Sequence, residues 1–195
     1  MCVRMLNKKS NRADIVMCRK SDCSGGKMKK IQKLVISSLF AAFACAATFI
    51  SIPLPVGYAN CGDIIVLLGA FLLGPVYGPL AAGIGTAFAD FLMGYVAYVP
   101  GTFLIKALMV LVAVSLYTFL SSRRCHSAVS YSVGAVAAEL IMVSGYYLYE
   151  SLCLGYGFGG AIVSVPGNLL QGVVGASAAV LLINLLKRLM GKYKF

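Results

Sequence analysis

Six apolar stretches, punctuated by proline, glycine or charge, fall at 34–52, 61–74, 76–94, 99–120, 128–150 and 159–186. Most approach the roughly 20 residues that a membrane-spanning helix needs. The pattern predicts six helices. The second is short and meets the third at Gly74-Pro75-Val76-Tyr77-Gly78-Pro79, a cluster that ends one helix and starts the next in a tight turn. A count of five is the competing reading.

Composition makes the bilayer the solvent. Hydrophobic residues are 60% of the chain and charged residues 12%, against about 25% charged in a typical soluble domain. The net charge of +11 is terminal: residues 1–33 carry +8, residues 187–195 carry +4, and the stretch between them carries −1. A nucleic-acid binder needs a basic stripe on a folded surface, whereas these charges flank apolar segments, where retention of Lys and Arg in the cytoplasm explains them. No nucleic-acid partner is expected.

The charges also orient the helices. With the basic amino end inside, six spans place Arg123, Arg124, His126 and the 187–194 tail inside as well, while the outer loops 53–60, 95–98 and 151–158 contain no Lys or Arg. An odd number of spans would put one basic end outside. The expected fold is therefore an all-α integral membrane bundle of six helices with both termini cytoplasmic.

Residues 1–30 read as a separate basic segment, too charged to span and too short to bury a core, and disorder is expected there. Translation from Met28 is the alternative, leaving 31–195 as the membrane domain in either case. Ala42-Phe43-Ala44-Cys45 loosely resembles a lipoprotein cleavage box, but Phe43 fits it poorly and the run stays apolar to Ile52. The first helix is expected to be retained.

Known catalytic signatures are missing. Seven cysteines without a CxxC and a single histidine, His126, indicate neither a disulfide framework nor a metal site. There is no GxxxxGK[ST], HExxH or GxSxG. An enzyme is not expected, and no cofactor is implied.

Candidate chemistry lies instead in ionisable and amide side chains within the spans, which are costly enough to be functional candidates by default. Asp63, Asp90 and Glu150 fall near outer helix ends, and Glu139 near mid-membrane, where it needs a hydrogen-bond donor or a proton of its own. Lys106 lies on the order of 10 Å below the outer boundary, counting from Val99, and needs a partner. It shares one helix face with Tyr98 and Thr102. It either meets a ligand or pairs only with Asp63 or Asp90.

Ser164, Asn168 and Gln171 form a second polar face, followed by Gly172 and Gly175, which permit close helix approach. Two amides on one face either read a ligand or hold helices together. Glu139, Tyr146 and Glu150 share a third face. Most outer tyrosines suit a headgroup-level belt, although Tyr95 and Tyr98 come just before the Lys106 face and would suit a flat, polar, heterocyclic solute. The first helix has two small-residue stripes, Ser37-Ala41-Cys45 and Ser38-Ala42-Ala46, each allowing another helix to come close.

Several ordered runs then point to a family: Pro53-Leu54-Pro55 with Tyr58-Ala59-Asn60-Cys61-Gly62-Asp63, Leu73-Gly74-Pro75-Val76-Tyr77-Gly78, and Gly83 through Tyr95. Pro100-Gly101-Thr102-Phe103-Leu104-Ile105-Lys106, Glu139 followed by Gly145-Tyr146, and Pro166-Gly167-Asn168-Leu169-Leu170-Gln171 continue the pattern. Over residues 29–190 the chain resembles the substrate-binding S components of energy-coupling factor (ECF) vitamin transporters, specifically the riboflavin-type group.

The resemblance implies a six-helix protein of a bacterial-type cell membrane that captures a vitamin or precursor from outside, of riboflavin, vitamin B6 or hydroxymethylpyrimidine type. It implies a coupling subunit in the membrane and two ATPases as partners. The implied solute site comprises Asn60, Asp63, Tyr95, Lys106, Glu139, Tyr146, Asn168 and Gln171, covered by the 53–60 loop, and Ser38, Ala42 and Ala46 are the implied docking face. A small ion-coupled carrier using Asp63, Asp90 and Glu139 as a relay is the alternative.

Overall fold

The computed structural model describes residues 30–53, 58–123 and 125–192. The expectations for the segment 1–29, for the middle of the 53–60 loop and for Arg124 lie outside the described residues. The described residues are helical apart from one small hairpin and short connections. Its elements are α1 (Lys30–Thr48), β1 (Ser51–Pro53) paired antiparallel with β2 (Tyr58–Asn60), α2 (Gly62–Leu92), α3 (Val99–Ser122), α4 (Ser127–Leu152), the short α5 (Gly157–Ala161) and α6 (Val165–Lys192). Among the described residues, five helical stretches are long and apolar enough to cross a membrane: Lys30–Thr48, Gly62–Leu92, Val96–Ser122, Ser127–Leu152 and Gly157–Leu189.

Residue size is sorted in the way a lipid solvent favours. Large apolar side chains such as Leu104, Leu140 and Leu181 face outward, while Ala70, Ala113, Ala135, Ala138 and Ala179 are buried. Lipid tails are as apolar as leucine, so helices associate through close backbone approach and polar contacts rather than by hiding leucine from water. Helix α1 packs on α2, α2 on α3, α3 on α4, and α6 closes the bundle against α2 and α4.

The 31-residue α2 is interrupted where the sequence predicts. Gly74 has φ 76° and ψ −167°, a conformation essentially restricted to glycine, and Pro75 follows at a position that needs no backbone N–H. A Cβ on Gly78 would lie 3.5 Å from the Ala70 Cα, whereas eight residues of continuous helix would separate the two by about 12 Å. The parts 62–73 and 75–92 therefore fold back on each other.

The two stripes of α1 have different fates. Ser37 is buried, and a Cβ on Gly85 would fall on the Ala41 carbonyl oxygen, so this stripe packs on α2. Ser38, Ala42 and Ala46 are exposed. Gly85→Ala should accordingly push α1 and α2 apart and destabilise the bundle by about 1–3 kcal/mol, read as a lower thermal midpoint in detergent. Gly159→Ala, with no atom within 4 Å of the added carbon, should leave the midpoint in place.

At the Ser122 end of α3, Tyr117 and Tyr131 stack at 4.4 Å and share a hydroxyl hydrogen bond of 3.1 Å. Phe71 meets both rings edge-on, and the Lys187 ammonium lies 4.3 Å from the Tyr131 ring centre. The lone histidine has a structural task here, since His126 Nδ1 accepts the Ala128 N–H at 3.4 Å and caps α4.

Candidate functional site

Polar side chains occupy the opposite, Val99 end of the bundle in three connected layers. In the outermost, Glu150 of α4 accepts hydrogen bonds from the Ser164 hydroxyl at 2.5 Å and the Tyr98 hydroxyl at 3.3 Å. Tyr95 belongs to this layer, edge-on to Tyr98 with ring centres 6.1 Å apart. In the second, Tyr146 donates to Thr102 Oγ1 at 3.0 Å, and Thr102 donates to Asp90 Oδ2 at 2.5 Å.

The deepest layer centres on Lys106, whose ammonium donates to Asp63 Oδ1 in an ion pair with both side chains buried, 1% and 0% exposed. The Lys106 ammonium also lies 5.6 Å from the Tyr146 ring centre, so Tyr146 rather than Tyr95 is the ring beside it. Gln171 of α6 donates through Nε2 to Asp63 Oδ2 at 2.5 Å and accepts the Asn60 backbone N–H through Oε1 at 2.8 Å. Asn60 Oδ1 in turn accepts the Gly62 N–H at 2.8 Å. One chain of hydrogen bonds thus runs from the end of the hairpin through α6 to the ion pair in the first turn of α2.

Asp63 thus stands at the start of α2, as expected, but is buried rather than near the surface. Because 62–73 starts below the hairpin rather than level with Val99, the first turn of α2 meets the second turn of α3, and Asp63 is fully enclosed. Glu139 of α4 lies beside this pair. A Cβ on Gly175 would be 2.9 Å from both Asp63 Cβ and Glu139 Oε1, and one on Gly172 would be 3.3 Å from Glu139 Oε2. Gly172 and Gly175 leave the space that the two carboxyl-bearing side chains fill. Asn168 is buried one turn above Gly172 on the same helix.

Of the eight sequence-predicted site residues, Asn60, Asp63, Lys106, Glu139, Tyr146 and Gln171 converge in or against the deepest layer, Asn168 is buried one turn from Gly172 on α6, and Tyr95 lies apart in the outermost layer. The sequence reading did not connect Asp90 and Thr102 to Tyr146, or Ser164 to Glu150. The signal was present for both, since Thr102 shares the Lys106 face and Ser164 the Gln171 face. What faces them across the bundle is set by helix packing.

A helical, multi-pass membrane protein with a layered polar interior at one end is a form suited to capturing a solute. The family profile described as "ECF-type riboflavin transporter, S component" matches residues 28–188. The chain belongs to that family and is a substrate-binding S component of an ECF transporter. A solved structure described as the S component of a bacterial ECF transporter has the same fold, with a TM-score of 0.66 and 23% identity, covering 83% of this chain and 99% of that one. A protein of Pyrococcus woesei, described as an uncharacterized protein in a gap 3' region, is 32% identical over 136 residues, which is 69% of this chain and 86% of that protein.

Proposed function

We propose that this chain captures a small water-soluble vitamin or vitamin precursor with a flat ring, of riboflavin, vitamin B6 or hydroxymethylpyrimidine type, from outside the cell membrane. The observation that carries this reading is the buried polar layer of Asp63, Lys106, Gln171 and Tyr146, latched to the hairpin through the Asn60 N–H. A ligand seated there is read by Lys106, Tyr146, Asn168 and Gln171 and held from above by Asn60 and Tyr95.

In this reading the fold-back at Gly74 makes six crossings, so both basic ends lie in a bacterial-type cytoplasm in accord with the distribution of Lys and Arg. The exposed Ser38, Ala42 and Ala46 of α1 dock on a membrane coupling subunit, and two ATPases bound to that subunit supply the energy. This chain performs no chemistry. It contributes an affinity for the solute that differs between its outward and inward orientations.

Purification in detergent, denaturation and mass spectrometry of any released small molecule tests this. A vitamin or precursor in about one-to-one ratio is the expected result. A clean preparation whose melting temperature no vitamin raises contradicts it. An ion-coupled carrier is the second reading, favoured by the placing of Asp63 and Glu139 beside one lysine within the bundle.

A further inference from the structure

Glu139 is a buried carboxyl at the deepest layer that the hydrogen-bond network among the described residues does not use. It is 6% exposed, and neither carboxyl oxygen has a hydrogen-bond partner among the described residues. The neighbouring donors are turned to other acceptors. The Lys106 ammonium and the Gln171 amide both serve Asp63, and the Tyr146 hydroxyl serves Thr102.

Such an arrangement is not a by-product of packing. Leaving a buried polar group unsatisfied is costly, and a carboxyl more so, and a native structure with one such group calls for an explanation. Here the surroundings are built for it: Gly172 and Gly175 of α6 leave the room in which its carboxyl lies. Any residue with a side chain at those two positions would close that space.

Charge narrows what the carboxyl awaits. Lys106 is already paired with Asp63, so an ionised Glu139 would set two carboxylates against one ammonium in this layer. A phosphate or carboxylate on the ligand would meet two acidic side chains with the only lysine of the layer already engaged. A ligand that donates removes the deficit. An exocyclic amino group next to a ring nitrogen presents two parallel donors, when that nitrogen carries a proton, to the two oxygens of one carboxylate.

We infer that Glu139 sets the specificity of this S component, selecting a flat heterocycle that presents an amino-group edge and carries no negative charge. This rests on the solute-capture reading above and deepens it by naming the chemical class. Riboflavin and the vitamin B6 forms lack an amino group on a ring carbon next to a ring nitrogen, the pyridoxamine amine being carried on a methylene across the ring from that nitrogen, whereas the aminated hydroxymethylpyrimidine precursor of thiamine carries one.

The test is calorimetric titration of the purified chain with that aminopyrimidine, with its oxo counterpart, in which a ring carbonyl replaces the amino group, and with pyridoxine and riboflavin. The wild-type chain should bind the aminopyrimidine about tenfold or more tightly than its oxo counterpart, which corresponds to about 1.4 kcal/mol. Glu139→Gln, nearly the same shape, should lose that preference, because its amide offers the oxo ring a donor it lacked.

Equal ratios in the two proteins would overturn the inference, and so would a wild-type chain that prefers the oxo counterpart, pyridoxine or riboflavin. Either result leaves solute capture standing. Failure of all these heterocycles to bind the wild-type chain would overturn both. The wild-type preference is measured without any variant, so a poorly folded Glu139→Gln does not shield the inference.

Discussion

Lys106→Met is expected to destabilise the bundle by about 3–5 kcal/mol, because it strands the enclosed Asp63 carboxylate without its counter-charge. Solute binding should be lost as well. Destabilisation alone does not separate a structural ion pair from a ligand-reading one, so the second substitution matters. In Asp63→Leu with Lys106→Met both charges go, and replacing both members of a buried pair by apolar groups is often neutral in stability.

The double variant should therefore regain most of its thermal midpoint in detergent while remaining unable to bind solute, as read by calorimetry. Gln171 would also lose the Asp63 acceptor that holds it in place to receive the Asn60 N–H. A folded double variant with unchanged solute affinity would reduce the pair to architecture.

The second large effect is expected at α1. Ala42→Trp places a bulky ring on the exposed stripe, where nothing in the described bundle opposes it, so stability and solute affinity should stay as they were. Docking on the coupling subunit should weaken about tenfold or more, since overfilling a close helix contact costs about 1–3 kcal/mol. Retention of the coupling subunit on a tagged chain measures this. Ala41→Trp, one position earlier and facing Gly85, should instead fail at the level of the fold. Equal retention of the coupling subunit by Ala42→Trp and the wild-type chain would remove Ser38, Ala42 and Ala46 from the docking face.

Much of the fold was legible because a bilayer imposes strong local rules. Apolar runs of spanning length, the glycine–proline cluster at 74–79 and the absence of Lys and Arg from three loops are readable one segment at a time. The break came at Gly74 because φ 76° with ψ −167° is open to glycine alone. Both stripes on α1 were visible too. Which of them packs inward was not, because that depends on where Gly85 sits, some forty residues away in sequence.

The site was legible as faces but not as pairs. Helical spacing joined Tyr98, Thr102 and Lys106, and it joined Asn168 with Gln171. It narrowed the partner of Lys106 to Asp63 or Asp90 without choosing between them, because the depth at which Asp63 sits is set by helix packing and by the Asn60–Gln171–Asp63 hydrogen bonds. Nor could it show that Glu139 would be left without a partner, a property of all its neighbours together. The aromatic cluster of Phe71, Tyr117 and Tyr131 gave no signal, its members being spread over three helices with no shared spacing.

The central claim is that this chain supplies solute affinity while partner ATPases supply the energy. Uptake into vesicles holding the chain together with its coupling subunit and ATPases tests it most directly, with ATP and a proton gradient varied separately. Uptake that requires ATP, persists after a protonophore collapses the gradient, and is absent from vesicles holding the chain alone is the predicted result. Uptake by the chain alone, driven by the proton gradient and indifferent to ATP, would contradict it.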